Sequence, residues 1–143
     1  MQEWEARQAI QISKLFGSYF AAVDSNDAQR AGSLFAEDGA LISEVMKRSC
    51  YGRSSIIAFL HELRSGWTDI TIRISPPNVT FENEREANSE CYFTVYGPQG
   101  LDHWATYHDQ FVRQGGTWLF KERRIVLLGA SPLSRVGAGR AVN

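Results

Sequence analysis

Residues 107–127 read YHDQFVRQGGTWLFKERRIVL, and the reading of this stretch decides the fold. Two runs rich in aromatic and β-branched residues flank Gln114-Gly115-Gly116, which predicts a long antiparallel hairpin with strands over 103–113 and 117–128. Alternate residues of a strand share a face. His103, Ala105, Tyr107, Asp109 and Phe111 therefore point one way, and Trp104, Thr106, His108, Gln110 and Val112 the other. Upstream lie further strands at 90–96, 79–82 and 70–74. They are separated by the turn 97–100, the charged turn 83–88 and the prolines Pro76-Pro77, which belong at an edge or bend.

The first half has helical spacing instead. Ile12, Leu15, Phe16, Tyr19, Phe20 and Val23 recur at three- and four-residue intervals, one apolar stripe along a long helix. Asp24-Ser25-Asn26-Asp27 breaks it, a short helix follows over 27–35, Glu37-Asp38-Gly39 ends that one, and 40–45 reads as a strand. Helical spacing returns over 54–63. Helices followed by a meander predict an α+β fold, with three helices from the N-terminal half covering a curved, mainly antiparallel sheet. Such an arrangement leaves an apolar pocket between its layers.

With 143 residues the chain is expected to form one domain, 1–143, with a core at 8–129 and a small polar tail at 130–143. A net charge of −1 and scattered basic residues argue against nucleic acid or an anionic membrane as a partner. No apolar run approaches the length of a membrane span. Cys50 and Cys91 are far apart with no metal-ligand spacing, which points to reduced thiols and a cytoplasmic setting; Cys50 falls in an expected loop and is accessible on that reading. No nucleotide, flavin or metal motif is found, so no cofactor is expected.

The segment SYFAAVDSNDAQRAGSLFAEDGAL (residues 18–41) and the hairpin quoted above resemble SnoaL-like proteins of the nuclear-transport-factor-like superfamily, among them scytalone dehydratase, hexachlorocyclohexane dehydrochlorinase and ketosteroid isomerase. The resemblance spans roughly residues 8–129 and implies a cone-shaped sheet around a central pocket. Asp24 matches the aspartate that in the dehydratase-type members pairs with a catalytic histidine; the alternative is a cap for the second helix. The histidine's own place falls near residues 71–73, where this chain has Arg73, and a guanidinium is no general base. Asp24 and Arg73 then form an ion pair or anchor an anionic substrate. By resemblance to ketosteroid isomerase, Tyr19 and Asp109 are the oxyanion-hole donors, with pairing of Asp109 to Arg113 or Arg123 as the alternative. That enzyme's base falls near Ser43 or Glu44. Tyr107 matches a polar pocket position, Arg123 a pocket arginine that faces inward while Arg124 faces out, and Phe93 an inward wall residue.

The expected site thus comprises Asp24, Tyr107 and Asp109 as catalytic residues and Tyr19, Arg73, Phe93, His103 and Arg123 as substrate-binding ones. His103 is placed at the pocket rim, His108 on the outer face and His61 on a helix surface. The expected function is cofactor-independent proton transfer on a hydrophobic or aromatic small molecule, in the manner of a lyase, isomerase or cyclase. The alternative is a non-catalytic binding or assembly module, or an oxygenase partner subunit. Tyr92, Thr94 and Tyr96, with Trp104 and Val112, make an apolar outer sheet face that suggests a homodimer.

Overall fold

A computed structural model describes residues 1–67 and 69–136, the side chain of Arg64 excepted. Three helices, α1 (Glu3–Asp24), α2 (Ala28–Ser33) and α3 (Arg53–Gly66), come from the first half of the chain. Seven strands follow or intervene: β1 (Phe35–Ser43), β2 (Arg48–Tyr51), β3 (Thr71–Ile74), β4 (Asn78–Phe81), β5 (Glu86–Gly97), β6 (Gly100–Gln114) and β7 (Thr117–Ala130). They form one sheet in the order β2-β1-β7-β6-β5-β3, with β4 also on β5. Among the described residues only the β1–β7 pairing is parallel, and the sheet curls without closing. The α+β architecture predicted from the sequence is therefore the one observed.

The long hairpin forms as its sequence dictates. Gln114 pairs Thr117 across Gly115 and Gly116, which have φ of 57° and 80°. Two successive positive φ values make the tight turn whose twist suits a hairpin, and glycine adopts them without steric cost. The α1 stripe of Ile12, Leu15, Phe16 and Tyr19 is buried against the sheet. Trp118 on β7 ties the helix down by donating to Gln8 Oε1 at 2.8 Å. Phe16, Phe35, Phe111 and Phe120 meet at ring separations of 5.2–6.0 Å, forming the closed end of the core.

Two local expectations are corrected. The 37–39 segment does not close α2 but lies within β1, which starts at Phe35 and carries an irregularity before Ala40. Cys50 is not in an accessible loop; it is buried on β2, a strand too short to announce itself by alternation. Of the polar tail, residues 131–136 fold back onto the start of β6, while 137–143 lie outside the described residues. No described helix is long and apolar enough to cross a membrane.

Candidate functional site

Between the sheet and the helices lies a cavity of about 100 Å³. Phe20 and Val23 of α1, Leu41 of β1, Phe59 of α3, Phe93 of β5 and Ile125 of β7 contribute apolar wall. A second chamber of about 60 Å³ lies beside it and shares Val23, Leu60, Leu63, Trp67, Ile70 and Ile72. An apolar cavity of about 150 Å³ holds benzene, so the space is on the scale of one ring.

Five of the lining residues carry polar side-chain nitrogen or oxygen atoms: Tyr19, Ser43, Trp67, His103 and Tyr107. Ser43 Oγ accepts from the Met46 N–H at 3.0 Å, which leaves its own proton to donate. The Tyr107 ring is stacked on Phe93 at 4.2 Å, and its hydroxyl has no hydrogen-bond partner among the described residues. Burial raises the Tyr107 phenol above its ordinary range, against the pull of the Arg123 charge, so it stays a neutral donor. Burial raises Tyr19 likewise, again opposed by Arg123.

His103 lies deeper than a rim. It is 4% exposed, and its ring packs edge-on against Trp67 at 5.8 Å and Phe93 at 6.2 Å. Its Nδ1 is 2.8 Å from Oδ2 of the adjacent Asp102, itself buried. Neighbours in a regular strand point to opposite faces, so this contact needs a departure from regularity. The β5–β6 register supplies it: Val95 pairs His103 and Tyr96 pairs Leu101, leaving Asp102 as an extra residue. Such a bulge bends the strand and re-aims the side chain.

The Asp102 carboxylate is satisfied on both oxygens. Oδ2 also accepts from Ser134 Oγ at 2.7 Å, and Oδ1 accepts from the Arg135 N–H at 3.0 Å. Burial pushes the carboxyl up, but the Arg135 N–H, His103 and Ser134 outweigh it and hold the group below the usual range. A carboxylate fixed in this way holds the imidazole with Nδ1 protonated and stabilises its cation. A histidine so oriented in an apolar wall can accept a proton from a bound molecule and return it.

The remaining expected site residues fall into two groups. Asp109 and Arg123 are fully buried behind the wall, not in it. Arg123 donates through Nε to Asp109 Oδ1 and through Nη2 to Oδ2, each at 2.9 Å. Five aromatic rings surround the guanidinium, Tyr107 at 3.8 Å and Tyr19 at 4.6 Å among them. Burial opposes the Arg123 charge, but Asp109 more than compensates and strengthens its hold on the proton. Burial drives the Asp109 carboxyl up against the pull of Arg123. With both oxygens turned to Arg123, Asp109 takes the ion-pair alternative and is not a donor to the cavity. Arg123 faces inward and Arg124 outward, as expected.

Asp24 and Arg73 lie elsewhere. Asp24 is the exposed last residue of α1, one step beyond Val23, where the buried stripe ends and the chain turns through Asn26 at φ 59°. It does not cap α2; Asp27 does, accepting from the Arg30 N–H at 3.0 Å. Arg73 is exposed on β3, and strand alternation puts its neighbour Ile72 in the cavity wall instead. Glu44 is likewise exposed, whereas Ser43 is buried in the wall. Asp102, Trp67 and Ser134 were not singled out from the sequence. The one available signal was the Asp-His doublet at the start of a predicted strand. No group of metal-ligating side chains occurs among the described residues.

Helices over an unclosed curled sheet, with a cavity between them, define a class of cone-shaped small domains. Within that class the chain belongs to the SnoaL-like domain family, whose profile matches residues 2–124. Similar solved structures include a protein of unknown function from Mycobacterium tuberculosis, at 15% identity and a TM-score of 0.80 over 96% of this chain and 86% of that one. A candidate scytalone dehydratase from Novosphingobium aromaticivorans matches at 20% identity and 0.79, over 92% and 91%. A nuclear-transport-factor-2-like protein with a cystatin-like fold from the same organism matches at 24% and 0.76, over 92% and 88%. These likenesses are of fold. No curated protein matches the chain.

Proposed function

We propose that this protein catalyses cofactor-independent proton transfer on a small apolar molecule bearing one ring and one carbonyl or hydroxyl oxygen, with His103 as the acid–base group. The observation that carries the reading is His103 in the wall of an apolar cavity, with the Asp102 carboxylate behind the wall on its Nδ1. In the forward step His103 Nε2 takes the proton from the carbon beside the carbonyl. The C–H electron pair moves into the carbonyl, whose oxygen gains negative charge. Hydroxyls at Tyr107 and Ser43 are the donors on the same wall that would stabilise it. Return of the proton to another carbon gives isomerisation, loss of a leaving group gives elimination, and attack on a second carbonyl gives cyclisation. The family likeness to a candidate scytalone dehydratase is consistent with chemistry of this class. The cavity is small beside the roughly 300–1,000 Å³ of a drug-sized ligand site, which favours a single ring over a polycycle.

A second reading, binding without chemistry, draws support from the exposure of Asp24, expected as a catalytic residue, and of Arg73, expected to bind substrate. We further propose a homodimer through the outer sheet face and a reducing, cytoplasmic setting; two free buried cysteines suit the latter.

Exchange of α-protons separates the two readings without knowledge of the product. A six-membered ring ketone is incubated with the protein in heavy water, and loss of its α-proton signals is followed by NMR. The protein is expected to accelerate exchange, and His103→Gln to reduce that acceleration by roughly 10²–10⁴-fold, the usual worth of a general base. Binding of the ketone without accelerated exchange, or acceleration that survives His103→Gln, would overturn the enzymatic reading.

A further inference from the structure

The short segment that follows β7 has every mark of a tail in the sequence, yet its polar groups converge on one carboxylate. Ser131 N–H donates to the Asp102 carbonyl at 2.8 Å, and Ser131 Oγ donates to the Leu101 carbonyl at 2.7 Å. These bonds fix the backbone on which the bulge sits. Ser134 Oγ and the Arg135 N–H then take one carboxylate oxygen each. Ser134 is itself 8% exposed and is held from behind, since its Oγ accepts from the Val136 N–H at 3.0 Å. That bond occupies a lone pair of the hydroxyl, leaving the single O–H proton directed at Asp102 Oδ2, the oxygen that faces His103 Nδ1.

The same segment also reaches a ring that packs on the imidazole. The Arg135 guanidinium lies 5.5 Å from the centroid of the Trp67 ring, and Trp67 packs edge-on against His103. Arg135 also pairs with Asp69 at 2.8 Å. An exposed pair of this kind adds little stability, but here it holds the cation over the indole. On its outer side Asp102 borders a groove of about 460 Å³ between the Gly97–Gly100 turn and residues 131–135. Without the donors from Ser134 and Arg135, water in that groove would compete for the carboxylate and let it turn away from the ring.

We infer that the segment 131–136 is a working part of the site and that Ser134 is a positioning residue, acting through Asp102 to hold His103 in the Nδ1–H tautomer. The inference rests on the reading of His103 as the proton-transfer group, because that tautomer is the one that presents Nε2 as a base. A serine that merely tied down a tail would leave the tautomer untouched.

The ring nitrogens of the full-length protein, labelled with ¹⁵N, report the tautomer directly. The three histidines are assigned with His61→Gln and His108→Gln, at about pH 9, well above the ordinary histidine pKa near 6.5. The unaltered protein is expected to show His103 as Nδ1–H. Ser134→Ala is expected to lower the ratio of Nδ1–H to Nε2–H roughly threefold to tenfold, the worth of one net hydrogen bond. Ser134→Thr, which keeps the hydroxyl, is expected to restore it. Should Ser134→Ala not fold, Ser134→Cys, with its weak donor, shifts the ratio in the same direction. An Nε2–H form in the unaltered protein overturns the inference, and so does a ratio that Ser134→Ala (or Cys) leaves unchanged. The measurement needs no substrate. A responsive ratio without accelerated α-proton exchange would uphold the positioning role and sink the enzymatic reading; exchange activity with an unresponsive ratio would do the reverse.

Discussion

Asp109 and Arg123 have no exposed side-chain surface, and their two parallel hydrogen bonds consume both carboxylate oxygens. A buried pair of this geometry is costly to break from one side, because the surviving charge has neither water nor partner. Asp109→Ala is therefore expected to cost about 3–5 kcal/mol in urea unfolding. A loss near zero would mean that water reaches Arg123. The same pair shows how far single residues could be read. Alternation correctly turned Tyr107 and Asp109 inward, but whether a buried acid lines a cavity or stands behind its wall depends on what fills the space in front. Here Tyr19, Phe20 and Tyr107 fill it. Asp24 is the converse case. Its motif matched the family, yet it lies just past the last apolar position of the stripe, and that one step puts it in solvent.

Among the elements, the hairpin β6–β7 was the most legible, because its turn is local chemistry. Gly116 sits at φ 80° with nothing near a Cβ, so a side chain there meets backbone strain and no clash. Gly116→Val is expected to destabilise the protein by about 1–2 kcal/mol, the cost of holding an L-residue in left-handed conformation. Loss of thermal stability from Gly116→Val with little change from Gly116→Asn, which tolerates that conformation, would confirm the cause. The bulge at Asp102 was not legible, since nothing in the β6 sequence says which residue its partner skips. Pairing with β5 on one side and the return of residues 131–136 on the other decide it. Strand β2 escaped notice for a related reason. Four residues paired only at the sheet edge show no period to read.

On the scale of the whole molecule, the outer sheet face carries Tyr92 and Tyr96 at 63% and 41% exposure. Apolar surface of this kind on a sheet is a frequent site of symmetric pairing. Sedimentation equilibrium is expected to give twice the chain mass of 16.1 kDa. Tyr92→Lys is expected to shift the protein toward the single-chain mass with the far-ultraviolet circular dichroism unchanged. A native mass of one chain at tens of micromolar would remove the dimer proposal. The inner face had already been set by the same alternation, since Cys91, Phe93 and Val95 are buried as their parity required.

What the sequence alone determined is the periodic part of the protein: helical stripes, strand parity, the two-glycine turn, and through them the α+β cone and its apolar interior. Each follows from interactions between residues a few positions apart, which any stretch of chain carries with it. Only the tertiary structure decided which polar groups share the cavity. Strand slippage by one residue placed Asp102 beside His103, and donors 32 and 33 residues further along came from Ser134 and Arg135. Such a site is made by register and chain return, which depend on the packing of the whole sheet and leave no period in the sequence.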